Sequence, residues 1–101
     1  MKEEQLLAQE ILKELRIILQ DLGLSIEIIN NDLFYTYADK STYYRITFVY
    51  GMHCFIIEGG TKEEAEKNIV EDWDLFSIGL GKQQILKEIR EWFIEYCIND
   101  K

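Results

Sequence analysis

His53 is the residue best suited to acid–base chemistry or metal binding, since it is the only histidine in the chain. Its neighbour Cys54 could supply a thiolate, either as a nucleophile or as a second metal ligand. Adjacent residues of a strand point to opposite faces of a sheet, so the two side chains are not expected to act together. The neighbouring sequence offers no further ligand. We therefore predict that the protein is not an enzyme and holds neither a metal nor a cofactor.

Three carboxylates, those of Glu71, Asp72 and Asp74, lie close together near the end of a predicted helix. Calcium loops alternate their oxygen ligands, turn at a glycine and close with a glutamate, and this spacing is absent here. Acidic residues near the C-terminus of a helix also oppose the helix dipole. Two interpretations stay open: the negative charge serves partner binding, or the segment is a solvated loop.

The chain is strongly acidic, with 11 basic and 19 acidic residues and a net charge of −8. Seven acidic residues and two lysines lie between Glu58 and Asp74, so this segment carries −5 of the total. Such a balance argues against binding nucleic acid or an anionic membrane through bulk electrostatics. It favours a basic protein partner, although a charged helix face can also be merely solvated.

Five of the six tyrosines lie in one stretch, FYTYADKSTYYRITFVY, residues 34–50. Tyrosine has an apolar ring and a polar hydroxyl, so it suits both the edge of a core and a binding surface. Which role each tyrosine has depends on the strand register that positions it.

The predicted elements place these residues in one α+β domain covering residues 1–101. An N-terminal helix spans residues 3–22 and stops at Gly23. A four-stranded antiparallel meander follows, and then two C-terminal helices that we expect to pack on the sheet. The strands are predicted at 24–29, 33–37, 43–50 and 53–58, and the helices at 61–73 and 82–98, with a turn region at 74–81. The last helix is expected to carry Ile85, Ile89, Trp92 and Tyr96 on its inner stripe.

A two-residue type II′ turn at Gly51-Met52 would set the register of the last hairpin. It places Phe48 opposite Phe55 and Ile46 opposite Ile57 on one face, and Arg45 opposite Glu58 on the other. Continued through the preceding turns, this register divides the tyrosines between the two faces. Tyr44 and Tyr50 join the packed face with Phe34, and Tyr35, Tyr37 and Tyr43 lie around Arg45 on the opposite face.

The remaining features bear on where the protein is found. The start, MKEEQLLAQE, is acidic and helical rather than a signal peptide, and no run approaches the ~20 apolar residues that span a bilayer. Cys54 and Cys97 are each flanked by apolar residues, which is typical of buried or half-buried thiols in a reducing compartment. We predict a cytoplasmic protein that does not bind membranes.

The stretch YYRITFVYGMHCFIIEGGTKEEAEKNIVEDWDLF runs from a tyrosine-rich hairpin through Gly-Gly into an acidic helix, and a tryptophan-bearing helix follows it. In this order of elements the chain resembles the small acidic α+β immunity proteins of bacterial polymorphic toxin systems. The resemblance implies a cytoplasmic protein that binds one cognate toxin tightly and occludes its active site or an essential surface. The acidic side would suit a basic toxin such as a nuclease.

Three alternatives stay beside this hypothesis. Phage inhibitors of nucleic-acid-binding enzymes share the size and charge, a small-ligand or enzymatic domain could have a pocket near His53, and a homodimer could form through the tyrosine face. For the protein-binding hypothesis, the predicted partner contacts are Tyr35, Tyr37, Tyr43, Arg45, Glu63, Glu66, Glu71, Asp72 and Asp74.

Overall fold

A computed structural model describes residues 2–38, 43–60 and 72–98. Within these ranges the chain forms a helix, a five-stranded antiparallel sheet whose strands follow the order of the chain, and a second helix. The elements are α1 (Lys2–Asp21), β1 (Ser25–Asn30), β2 (Leu33–Tyr37), β3 (Tyr43–Val49), β4 (Cys54–Gly60), β5 (Asp72–Ser77) and α2 (Lys82–Phe93), which continues into a π-helical turn at Ile94–Ile98. The α+β class and the antiparallel sheet are confirmed.

Helix α1 ends as its sequence predicts. Gly23 has a φ of +92°, a left-handed conformation that glycine adopts without strain. The Leu24 N–H donates to the Leu19 carbonyl at 3.0 Å, and the Gly23 N–H donates to the Gln20 carbonyl at 2.9 Å. These two bonds are the Schellman pattern, which satisfies carbonyls at a helix end.

The predicted strand register is confirmed at the three hairpins. Phe48 pairs with Phe55, Ile46 with Ile57 and Arg45 with Glu58 across β3 and β4. Phe34 pairs with Ile46 across β2 and β3, and with Ile28 across β1 and β2. One face of the sheet is therefore apolar and the other carries the Arg45–Glu58 pair.

Both helices pack on the apolar face. The core joins Leu12 and Leu15 of α1 and Ile89 of α2 to Phe34 and Ile57 of the sheet, and all five side chains are fully buried. This arrangement leaves the opposite face of the sheet without α1 or α2.

Lys82 connects the two helices. Its Nζ lies 2.9 Å from Glu10 Oε1 and 2.6 Å from Glu14 Oε2, and the hydrogen bonds to Glu10 and then Glu14 raise the pKa of the Lys82 ammonium. A cation at a helix N-terminus opposes the helix dipole, so these two carboxylates of α1 offset an unfavourable position in α2.

The predicted architecture is wrong in the segment before α2. Residues 72–77 are not a helix end and a turn but strand β5, which pairs with β4 so that Phe76 lies opposite Phe55. An unpaired β4 edge would leave backbone groups without partners, and Phe76 adds a buried ring to the core. Most of the predicted helix 61–73 lies outside the described residues, but its last two positions, Asp72 and Trp73, belong to β5.

Two turns also differ from prediction. Between β3 and β4 the chain makes a 3-10 turn at Tyr50–Met52, and the left-handed residue is His53, with φ of +52°, rather than Gly51. The loop is lengthened by one residue on each side, so the pairing beyond it is unchanged. Between β1 and β2 a bulge after Ile28 absorbs one residue of the predicted three-residue loop.

Gly23, which has a positive φ, and Gly51, which does not, provide a matched test of the 3-10 turn between β3 and β4. We expect Gly23→Ala to lower the free energy of unfolding by about 1–2 kcal/mol, because alanine is strained at positive φ. Gly51→Ala should change it by less than about 0.5 kcal/mol, because φ is not positive there and no atom lies within 4 Å of the added Cβ. Urea denaturation measures both. A large loss for Gly51→Ala would instead support the type II′ turn.

Candidate functional site

The face of the sheet opposite α1 and α2 carries a cluster of aromatic rings, which we call the tyrosine surface: Tyr35, Tyr37 and Tyr43. The Tyr37 and Tyr43 rings are stacked, with centroids 4.5 Å apart and planes 21° from parallel. Tyr35 meets Tyr43 edge to face at 6.2 Å and 73°. These are preferred aromatic geometries, so the three rings support one another. The structure brings together the tyrosines that the register predicted.

The three tyrosines differ in exposure. Tyr43 is 5% exposed, whereas Tyr35 and Tyr37 are half-buried. Tyr43 is therefore the buried member of the cluster that contacts both other rings, and Tyr35 and Tyr37 provide the accessible area. Rigid aromatic side chains offer contact area at a low cost in conformational entropy.

Arg45 lies directly opposite Tyr35 across β2 and β3 and forms an ion pair with Glu58 through Nη2 and Oε1. The two side chains are 18% and 14% exposed, so water screens this pair only partly. Truncating one member would leave the other charge poorly solvated, which is more unfavourable than removing an exposed ion pair. The pair consequently adds polarity beside the tyrosines while keeping their surroundings close to neutral.

The acidic residues predicted to share this site are not assembled with the tyrosines where the structure describes them. Asp74 pairs with Ile57 and therefore projects toward the helix side, where it is exposed. Asp72 pairs with Gly59, and β4 separates β5 from the strands that carry the tyrosines. Glu63, Glu66 and Glu71 lie outside the described residues.

The hairpin between β3 and β4 carries His53 and Tyr50, whose polar contacts lie apart from the tyrosine surface. The His53 side chain is 67% exposed, and its Nδ1 lies 2.7 Å from Glu4 Oε1 near the start of α1. The Tyr50 hydroxyl donates to Asp32 Oδ1 at 2.6 Å, and its ring packs on Phe48 at 4.8 Å. His53 therefore lies at the protein surface, and its contact joins the hairpin to α1.

Within residues 2–38, 43–60 and 72–98, no group of three or more His, Cys, Asp or Glu side chains is placed to hold a metal ion. Cys54 and Cys97 are both buried as predicted, and burial raises the pKa of the Cys54 thiol. The two cysteines lie on opposite sides of the sheet. Cys97 belongs to the core on the helix side, whereas Cys54 pairs with Val49 and points to the opposite face.

None of the helices described is long and apolar enough to cross a membrane.

The aromatic residues at the end of α2 also differ from prediction. Tyr96 does not continue the inner stripe; it is 50% exposed, and Cys97 is buried instead. The π-helical turn at Ile94–Ile98 has more residues per turn than an α-helix, which shifts the positions that face the core. Trp92 is half-buried, with its ring 5.1 Å from that of Tyr96. A constant helical period could not reveal that Tyr96 is exposed beside the half-buried Trp92.

The Tyr50–Asp32 contact predicts a specific pH dependence. Burial, followed by the hydrogen bond to Asp32 and the charge of that carboxylate, raises the pKa of Tyr50 from 10.0 to about 12. The unfolded state then releases this proton first, so the free energy of unfolding should fall between pH 10 and about 12.

Absorbance titration and urea denaturation at several pH values test this expectation. Tyr50→Phe should remove the phenol that titrates near 12 and make the alkaline loss of stability shallower. Asp32→Asn keeps an acceptor but removes the charge, so it should lower the pKa of Tyr50. An unchanged titration curve in Tyr50→Phe would contradict the assignment.

Comparison with known proteins identified no relative of this chain. No protein-family model matches the chain, and neither the curated proteins nor the solved structures contain a match. The resemblance to immunity proteins stays a prediction that depends on the order of elements in the sequence.

Proposed function

We propose that this chain is a non-enzymatic binding protein that neutralises a protein partner by direct contact through the tyrosine surface. The observation that carries the proposal is the stacked arrangement of Tyr35, Tyr37 and Tyr43 on the face that α1 and α2 do not cover. Tyrosine is enriched at protein interfaces, and interface hot spots are often tyrosines held in place by their neighbours. Two half-exposed rings supported by a buried third ring have this character.

The proposed partner is a basic protein. A net charge of −8 attracts such a partner over long range and increases its association rate. The close contacts at the tyrosine surface are aromatic and hydrogen-bonding, because Glu58 already neutralises Arg45. Charge then governs the rate of encounter, and the tyrosines govern the lifetime of the complex.

Within this class, we propose an immunity protein that protects a bacterial cytoplasm from a cognate toxin, such as a nuclease. Support comes from the acidity and from a surface suited to one protein partner; the order of elements noted in the sequence motivates the proposal, with β5 as an added strand before α2. A phage inhibitor of a nucleic-acid-binding enzyme would use the same surface chemistry. Identification of the captured partner distinguishes the two.

Capture from the native host followed by affinity measurement tests the proposal. Tyr35→Ala with Tyr37→Ala should weaken the complex by about tenfold to a hundredfold, corresponding to roughly 1.4–2.7 kcal/mol, mainly through faster dissociation. Tyr50→Phe is the matched control, because Tyr50 lies on the helix side of the sheet and its ring is retained. Tyr43 is unsuitable as a probe, since its burial makes a loss of folding the expected result.

Unchanged affinity in the double variant would overturn the proposal. Raising the salt concentration should reduce the association rate and leave dissociation nearly constant. Sedimentation at several concentrations tests the competing homodimer: a dimer that the double variant dissociates would show that the tyrosine surface serves self-association.

A further inference from the structure

The end of α2 presents a second surface, on the helix side of the sheet. Glu88, Trp92 and Tyr96 follow one another at intervals of four residues, and Glu95 lies three residues after Trp92. Residues with this spacing occupy neighbouring positions along one side of a helix. We call these four residues the aromatic–carboxylate strip.

Contacts with neighbouring side chains hold the exposed Tyr96 ring in place. Tyr96 is 50% exposed, yet its ring lies 5.1 Å from the Trp92 ring at 52°. Trp92 in turn meets Tyr44 of β3 edge to face at 5.5 Å and Phe93 at 5.0 Å. The Tyr44 hydroxyl also lies 3.5 Å from the Tyr96 carbonyl. The sheet therefore positions an aromatic surface at the end of the helix.

Within the described helix segment, the charged groups on the side of the rings are carboxylates. Glu95 is exposed and Glu88 is half-buried, and their spacing places both beside Trp92. The basic residues of this helix segment, Lys87 and Arg90, precede Trp92 by five and two residues and so lie away from its side of the helix. An aromatic face with carboxylates at its edge is complementary to a cation.

Among cationic side chains, arginine fits this arrangement better than lysine. A guanidinium is planar and weakly hydrated, so it can stack on an aromatic ring while its N–H groups donate to carboxylates. A lysine ammonium keeps its hydration shell more strongly and cannot stack.

We propose that the aromatic–carboxylate strip binds an arginine-bearing segment of a protein partner. The guanidinium stacks on Tyr96 and Trp92, and Glu88 or Glu95 accepts its hydrogen bonds. The strip and the tyrosine surface lie on opposite sides of the sheet. A negative binding result at one surface therefore does not contradict the proposal for the other surface.

Nuclear magnetic resonance titration of the full chain tests this assignment. The probe is a short glycine-arginine peptide, compared with the same peptide containing citrulline, which is planar but uncharged, and with a lysine version. We expect saturable shifts of the Trp92 indole N–H and the Tyr96 amide with the arginine peptide. The lysine peptide should bind several-fold more weakly, and the citrulline peptide should produce no shift at these groups.

Variants separate the strip from general attraction by the acidic chain. Tyr96→Ala, and Glu88→Gln combined with Glu95→Gln, should each weaken binding of the arginine peptide by about tenfold. Glu3→Gln combined with Asp21→Asn removes two exposed carboxylates of α1 and is the charge-matched control for the double substitution; it should leave the affinity unchanged. Thermal unfolding of each variant verifies folding. Equal binding of the arginine and lysine peptides, unchanged affinity in the strip variants, or shifts confined to other surfaces would overturn the proposal.

Discussion

The pairing of β3 with β4 is the constraint on which the two faces of the sheet depend. Side chains alternate along a strand, so this register places Ile46 and Phe55 under the helices and leaves Arg45 with Glu58 on the opposite face. A slip of one residue would exchange the faces, bury charges against the core and expose large apolar side chains. Burial of the apolar face thereby determines where the polar and aromatic groups of the other face can lie.

The same register explains why the structure has two aromatic surfaces. Tyr44 faces the helices and contacts Trp92, whereas Tyr43, one position earlier, stacks with Tyr37 on the opposite side. Neighbouring tyrosines in the sequence thus support different surfaces. One surface is rich in tyrosine beside an ion pair, and the other has the exposed Tyr96 ring and the half-buried Trp92 ring on a helix that also carries glutamates. Their chemistry is suited to different contacts.

Charge placement illustrates why composition alone does not define a site. The concentration of negative charge between Glu58 and Asp74 predicted partner contacts in this segment in addition to those of the tyrosines. Asp74 instead pairs with Ile57 across β4 and β5, so its side chain projects toward the helix side of the sheet. The spacing of Glu88 and Glu95 around Trp92 can be read from the sequence, but the exposure of Tyr96 beside them cannot.

The sequence by itself determined the helix end at Gly23, the register of the hairpins from β1 to β4 and the division of the tyrosines between two faces. These features depend on local conformational preference and on the alternation of apolar residues, which are properties of short segments. Tertiary structure alone decided that residues 72–77 form β5 and that the π-helical turn exposes Tyr96. Both depend on distant partners, the open edge of β4 and the packing of α2 on the sheet, and such contacts leave no periodic signal in the segment itself.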